Sequence, residues 1–525
     1  MKNLLLLLLL IPTLCFSQAA AESGFIDSLV EASFDKFPQA GIAIAVIQQG
    51  EVTHLKGYGI TSAKTKGKVD ENTLFGIASN SKAFTAVALA ILVDQGKLSW
   101  NDRVIAHIPE FKMYDAYVTE HFTILDLLTH RSGLGLGAGD LMFFPGGADF
   151  TIEDVLRSFQ FQTPVSDFRT KYDYDNVLYI VAGEVIKRVS GKSWDQFIED
   201  EIMHKLGMNN SVGIYQNITQ HTNVASPHSS ENKELKQLEK LTGNLAALGA
   251  AAGGIYASAG DMAKWVTMHL NGGLYGENQT DTLVSPITHK ELWKMHTNID
   301  YNAVGEGLYN THYSGYGLGF FLRDENGYTI VQHSGGLPGM LSMVTMIPEL
   351  DAGIVVLTNA APGGLSLVTM TNAIKDKIIG AEGRDWLAWA EERLNNEASE
   401  ADSVVSAVWE KVVKNKGNAP DSKHFIGTYK DNWFGDVVIY EQDKQLMLQS
   451  KRSPKLVGTM HFYNANTFVV EWKYAQDSGP SNYDAFAMFQ LDENGDATAI
   501  KMKGISPGID FSYDFHDLDF VKVNE

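Results

Sequence analysis

Among its 525 residues the chain has one cysteine, Cys15. That cysteine falls inside a leader expected to be removed, so the mature chain would carry no thiol. This excludes disulfides, thiolate metal sites and cysteine nucleophiles together. Long apolar runs are equally scarce. Leu4 to Leu10, extended by Ile11, is an unbroken run at the start, and nothing later approaches the roughly 20 apolar residues that a spanning helix needs. Positive charge is in deficit: 42 Lys and Arg against 63 Asp and Glu leave a net charge of −21. Such a surface repels a phosphate backbone, so nucleic-acid binding is not expected. The acidic residues are spread along the chain, as a solubility feature would be. There is no H-E-x-x-H or clustered His/Asp pattern, so no metal is implied. There is no G-x-S-x-G elbow. The glycine run from Gly133 to Gly139 fails G-x-G-x-x-G because Ala138 stands at the last glycine position, and it follows no strand.

What is present begins with the leader. Lys2, the leucine run and the small or polar residues from Ser17 to Ala21 have the layout of a secretory signal peptide over residues 1–21. The chain is therefore expected to be exported, periplasmic or secreted. An uncleaved anchor is the alternative, and Leu14 is too bulky for a typical lipoprotein site at Cys15. Hydrophobic residues make up 44% of the chain, enough for one large core and a second smaller one.

Strand patterns run over 42–47 and 52–57 around a Gln-Gln-Gly turn. Helical spacing marks 83–95, closed by Gly96, then 177–189, 194–205 and 261–270. Ser193 with Gln196 is a capping-box pattern, and Ser258 is a candidate cap. A strand over 317–323, a turn at Asp324-Glu325-Asn326-Gly327 and a strand to His333 form a hairpin signal. Residues 341–358 repeat strand, turn and strand. Strands at both ends with helices between predict one mixed sheet built from sequence-distant halves. Residues 386–416 read as a charged helix. From about 421, six short alternating strands predict a small antiparallel barrel or sandwich.

Three patterns carry chemistry when taken together. Ser79-Asn80-Ser81-Lys82 precedes the 83–95 helix and puts Ser79 and Lys82 on one face. A serine hydroxyl needs a base, and lysine can serve only if its pKa is brought well below about 10.4. Tyr174-Asp175-Asn176 opens the next long helix; Tyr172 competes, but only Tyr174 has Asn two residues on. His333-Ser334-Gly335-Gly336 ends a strand whose glycines let a substrate lie against its edge. The Gly336 and Ser79 N–H groups are candidates for an oxyanion hole. Taken singly, each pattern also fits a bland reading: a capped helix with a solvated lysine, a turn with a half-buried aromatic, and a strand end with a surface histidine. His130 reads as a structural hydrogen-bonding residue.

The order Ser-x-x-Lys, Tyr-x-Asn, His-x-Gly, with FGIASNSKAFTAVAL, ILDLLTHRSGLG, YDNVLYIVAGEVIKRVSGKSW, AAGGIYASAGDMAKW and QHSGGLPGM around it, resembles penicillin-binding proteins and class C β-lactamases. The chain is similar to the β-lactamase-related serine hydrolases (peptidase S12 type), which include esterases and D-amino-acid peptidases, over about residues 25–380. The resemblance implies an α/β (α+β) fold, with an antiparallel sheet and a helical subdomain. It implies that Ser79 is acylated, that Lys82 takes or shares its proton, and that Tyr174 is general base and then acid. Asn176 would orient substrate or lysine, His333 would line the far wall, Gly335 would belong to the substrate and oxyanion side of the site, and Gly336 would join Ser79 in the oxyanion hole. No cofactor or metal is required. The C-terminal part resembles the lipocalin-like domain of some members. The expected organisation is signal 1–21, hydrolase domain 22–385, helical linker 386–420 and β-barrel domain 421–525.

One departure bears on specificity. β-Lactamases and DD-peptidases usually place lysine where His333 stands, and a histidine of ordinary pKa near 6.5 is mostly neutral at pH 7. Weaker carboxylate recognition follows, favouring small esters, amides or peptides over β-lactams. A β-lactamase or DD-peptidase, and a non-catalytic cell-wall or glycan binder, are the alternatives. Substrate identity, oligomeric state and the conformation of the loops over 134–170 and 212–245 stay open.

Overall fold

The computed structural model describes residues 21–37, 39–229, 234–239, 247–300, 307–360, 363–381, 383–474 and 483–523. All of the expected signal segment but Ala21 lies outside the described residues, as does Cys15.

Hairpins from sequence-distant parts of the chain build one sheet. Strands β1 (Gly41–Gln48) and β2 (Glu51–Gly59) form the first hairpin. The later strands are β3 (Thr297–Asn298), β4 (Ser314–Tyr316), β5 (Phe321–Glu325), β6 (Tyr328–Leu337), β7 (Met340–Ile347) and β8 (Ala352–Thr358). The order across the sheet is β2-β1-β8-β7-β6-β5-β4-β3. The halves meet where β1 runs against β8, from Ile42 opposite Thr358 to Ile47 opposite Gly353. Every pairing is antiparallel, so the expected mixed sheet is corrected. Short turns join most neighbours, and a parallel neighbour would need a long crossover.

The expected strand over 317–323 is also corrected. The strand proper begins at Phe321, and Asp324 and Glu325 belong to it. The bend lies at Gly319, whose φ is 82°; a Cβ there would sit 2.8 Å from the Ala83 Cα. The hairpin turns on Asn326 and Gly327 alone, with φ of 50° and 86°, the pair that a two-residue turn of this hand demands.

Strand β1 is buried on both faces. Ile42, Ile44 and Val46 pack beneath α1 (Ser23–Lys36) and α5 (Gly363–Ile379), while Ala43, Ala45 and Ile47 face the larger core. In that core lies α2 (Ser81–Asp94), whose residues from Ser81 to Leu92 are all buried. A helix apolar on every side belongs in an interior. Phe84 stacks on Trp265 of α4 (Ala259–Leu270) with ring centroids 3.7 Å apart. Helix α3 (Asn176–Ser190) starts at Asp175, whose carboxylate accepts the Val177 N–H, and stops at Gly191 with φ 77°. The segment expected as one helix over 194–205 is α-helical over Trp194–Ile198, makes a π-turn over Glu199–Met203 and resumes as α-helix over His204–Leu206.

Helix α6 (Trp386–Asn415) leads to a closed eight-stranded antiparallel barrel running from Gly427–Asp431 to Asp519–Lys522. Two of its strands, Val457–Asn464 and Asp519–Lys522, add to the six that alternation predicts. Trp433, Trp472 and Phe489 are in its core. Arg452 ties the barrel to the rest of the chain: it donates to Asp149 at 2.7 Å and, with two nitrogens, to Asp154 at 2.9 and 2.7 Å.

Candidate active site

Ser79 lies in a short 3-10 turn, Ala78–Asn80, that runs straight into α2. Ala78 before it takes φ of 49°, the left-handed region that a residue with a Cβ avoids. The turn is pinned on several sides. Asn80 donates to the Ser342 hydroxyl at 2.8 Å, and Ser342 donates to the Ile77 carbonyl at 2.6 Å. Gly335 packs directly on that carbonyl, where a Cβ would overlap it. The Ser79 side is half-buried.

One turn on, Lys82 is fully buried, not solvated. Its ammonium donates to Ser79 Oγ at 3.1 Å, Asn176 Oδ1 at 2.7 Å and the Ala252 carbonyl at 2.8 Å. It also sits 4.8 Å from the Tyr174 ring centroid. Burial penalises its charge and brings its pKa down to about 7, against the pull of Asp140 and Asp175. When the amine is neutral, the first contact reverses and Ser79 O–H donates to the free lone pair.

Asn176 opens α3 and links two charges. Its amide donates to Asp140 Oδ2 at 2.7 Å, while its carbonyl faces Lys82. Burial raises the Asp140 carboxyl to about 7, opposed by hydrogen bonds from Ser512 and Asn176 and by Lys82. The Tyr174 hydroxyl is buried without a conventional hydrogen bond among the described residues. Burial pushes its pKa well above the usual range; the adjacent Ser79 hydroxyl pulls the other way. Tyr172 instead packs on His130, Tyr316 and Phe321. His130 stacks 4.2 Å from the Tyr174 ring and accepts the Asp175 N–H at 3.0 Å through Nδ1.

His333 is buried rather than on the surface. Nδ1 donates to the Ser334 carbonyl at 2.6 Å, so Nε2 accepts from the Tyr316 hydroxyl at 3.0 Å. This is the neutral tautomer, and burial with nearby Lys82 takes the pKa down to about 3. β5 pairs with β6 only as far as Gln332, so His333 to Leu337 present an edge that β5 leaves open. Gly336 is exposed on that edge.

The structure thus brings Ser79, Lys82, Tyr174, Asn176, His333 and Gly335 together through direct contacts, and Gly336 follows on the open edge of β6. The motifs miss four further contributors: Asp140, the Ala252 carbonyl, Tyr316, and Ser512 from the barrel. Asp140 follows the glycine run, where Gly133, Gly137 and Gly139 all take positive φ; that run is its only local signal. Among the described residues, no group of three or more His, Cys, Asp or Glu side chains is placed to hold a metal. No helix among them is long and apolar enough to cross a membrane.

A family model described as Beta-lactamase matches residues 30–377. The chain belongs to the beta-lactamase family of serine hydrolases. A second model, a domain of unknown function (DUF3471), matches residues 413–522. The chain is similar to unguisins hydrolase ungD of Aspergillus violaceofuscus, at 30% identity over 66% of this chain and 63% of that one. It is similar to Protein flp of Staphylococcus aureus strain MW2, at 29% identity over 64% of this chain and 62% of that one. It thus spans less than two thirds of the length of either relative. Among solved structures, the octameric penicillin-binding protein homologue from Pyrococcus abyssi superimposes with TM-score 0.60 and 19% identity, over 96% of this chain and all of that one. EstCE1, a hydrolase with promiscuous acyltransferase activity, gives TM-score 0.56 and 19% identity over 67% and 97%. At these identities the likeness is one of fold.

Proposed function

We propose that the protein hydrolyses small ester or amide bonds, peptides included, through an acyl-enzyme on Ser79. The observation that carries this reading is the contact of Lys82 Nζ with Ser79 Oγ at 3.1 Å, made by a lysine whose pKa burial brings to about 7. A base near neutrality is what a serine nucleophile requires. The neutral Lys82 amine takes the Ser79 proton as Oγ bonds to the substrate carbonyl carbon. The oxyanion is held by the Ser79 and Gly336 N–H groups. Tyr174 is kept as a phenol by burial, so it acts as the acid: it gives its proton to the departing oxygen or nitrogen and regains one from Lys82. Water then attacks the acyl carbonyl by the reverse path and frees Ser79.

Substrate class follows from His333. A buried neutral imidazole offers no charge to a substrate carboxylate, which favours neutral esters and amides over cephalosporins. The relative named for hydrolysis of unguisins, and EstCE1, a hydrolase with promiscuous acyltransferase activity, fit a hydrolase of this kind. The leader, with Lys2, Leu4 to Ile11 and Ser17 to Ala21, supports export.

Labelling with a fluorophosphonate probe is the test. The wild-type protein takes the label at Ser79 and Ser79→Ala does not. A folded wild-type protein that neither labels nor cleaves p-nitrophenyl esters, amino-acid amides or a chromogenic cephalosporin would refute the reading.

A further inference from the structure

The C-terminal barrel reaches the catalytic serine's neighbourhood through one segment. Between its last two strands, Ala497–Gly504 and Asp519–Lys522, the chain makes a 3-10 turn over Phe511–Tyr513. Asp510 caps this turn by accepting the Ser512 N–H at 2.9 Å. The turn docks on the glycine-rich loop ahead of Asp140. Tyr513 packs 4.8 Å from Phe144. Gly137 lies so close to Phe511 that a Cβ would sit 2.8 Å from its ring and 2.9 Å from its carbonyl oxygen. Gly137 in turn donates its N–H to the Tyr174 carbonyl at 2.8 Å.

Two side chains of the turn reach the cleft. Ser512, buried, donates to Asp140 Oδ2 at 2.6 Å, the same oxygen that accepts from Asn176. An unbroken chain of hydrogen bonds therefore runs from the barrel to the nucleophile: Ser512, Asp140, Asn176, Lys82, Ser79. Phe511, half-buried, sets its ring edge-to-face against Tyr174 at 5.8 Å.

We propose that the barrel completes the active site: Ser512 is a positioning residue that holds Lys82 through Asp140 and Asn176, and Phe511 walls the cleft where the leaving group departs. This rests on the Ser79 reading, because Tyr174 marks the leaving-group side only if it protonates that group. Both donors converge on Asp140 Oδ2, while Oδ1 is buried with no partner among the described residues; the barrel therefore supplies one of the two hydrogen bonds that hold this buried carboxylate. Phe511 narrows the space beside the phenol, so compact leaving groups are preferred.

The groups that face Asp140 define the pH readout. They are Lys82 from α2, Asp175 and Tyr174 at the start of α3, and Asp510 from the barrel turn. Ser512 favours the Asp140 carboxylate, and that carboxylate raises the Lys82 pKa. Without Ser512 the carboxylate is less available, and Lys82 loses its proton at lower pH.

The experiment uses the full-length chain with p-nitrophenyl acetate and a matched acetate ester carrying a bulkier aryl leaving group. Ser512→Ala is expected to lower the plateau kcat at least threefold and to move the acid limb of kcat/KM down by about half a pH unit. Asp140→Asn moves the limb the same way, and Ser512→Thr restores both. Phe511→Ala is expected to raise bulky-over-compact kcat/KM at least fivefold. Thermal melts and fluorophosphonate labelling report that each variant is folded and its serine present. Active wild type with both variants unchanged in rate, pH limb and leaving-group ratio would overturn this inference and leave the Ser79 reading intact. The same holds if Ser512→Ala merely lowers the melting point without moving the limb and Phe511→Ala leaves the ratio unchanged. A wild type that takes no label and cleaves nothing overturns both.

Discussion

Lys82 and Asp140 are joined through a single side-chain amide. Asn176 accepts from the lysine with Oδ1 and donates to the carboxylate with Nδ2, at 2.7 Å on each side. The two partners fix the orientation of the amide, since a lysine offers no acceptor. Both charged groups are buried and both have pKa values brought to about 7, from opposite directions. A proton can therefore be redistributed within the site near neutral pH, and the apparent titration belongs to the pair.

Activity should follow that titration. Lys82 has its pKa lowered to about 7, so it is protonated below that pH and a base above it. For a neutral ester, kcat/KM is expected to fall about tenfold per pH unit below about 7 if one proton controls the step. A pH–rate profile with p-nitrophenyl acetate measures this. A profile flat down to pH 5 would remove Lys82 from the role of base.

Breaking the amide bridge should cost both rate and stability. Asn176→Ala leaves a Lys82 N–H and part of the Asp140 carboxylate without partners in a buried site. Unsatisfied buried groups cost about 1–3 kcal/mol each, so urea denaturation should show a loss of at least about 1 kcal/mol. The kcat should fall with it, by about tenfold or more, because the lysine is no longer held on Ser79. Full stability together with full kcat would show that water or a neighbouring group replaces the amide.

How much of this site is legible in the sequence depends on where each residue stands. Ser79, Lys82 and Asn176 are legible because they sit at helix starts, where helical spacing converts directly into a shared face. His333 is legible as a strand end, but its burial is not: that depends on Tyr316, Phe321 and Tyr174 closing around it. Asp140 follows a glycine-rich turn with no periodicity to place its side chain. Ser512 is 372 residues from Asp140, and no local pattern relates a barrel turn to a catalytic helix. The sheet shows the same division. Its hairpins are readable from turns and alternation, whereas the bend at Gly319 arises from close passage over α2.

The neutral histidine accounts for the expected substrate preference and can be tested by restoring a charge. In His333→Lys, an ammonium would stand on the open edge of β6 in place of an imidazole whose pKa is about 3. Turnover of a chromogenic cephalosporin, which carries a carboxylate, should rise relative to a neutral p-nitrophenyl ester by about tenfold, the equivalent of about 1.4 kcal/mol. An unchanged ratio in a folded variant would mean that carboxylates are rejected by some other part of the cleft.

The two adjacent glycines of β6 should behave very differently, although both follow His333. Gly335 faces inward. A Cβ there would overlap the Ile77 carbonyl oxygen and lie 2.6 Å from Ser342 Oγ, the hydroxyl that holds Asn80. Gly335→Ala must therefore push β6 away from the turn carrying Ser79. Overpacking of this kind costs about 1–3 kcal/mol, and displacing the strand edge removes an oxyanion donor, worth about 100- to 1,000-fold in rate. Among the described residues, Gly336 has only Leu341 within reach of an added Cβ, at 3.5 Å, and its φ lies outside the left-handed region. Gly336→Ala keeps the backbone N–H and should retain rate within about threefold, because the donor is untouched. Fluorophosphonate labelling rates and thermal melts of the two variants side by side measure the contrast. Equal loss in both would place the strand edge elsewhere in the reacting enzyme, and equal tolerance would dissolve the link between β6 and the serine turn.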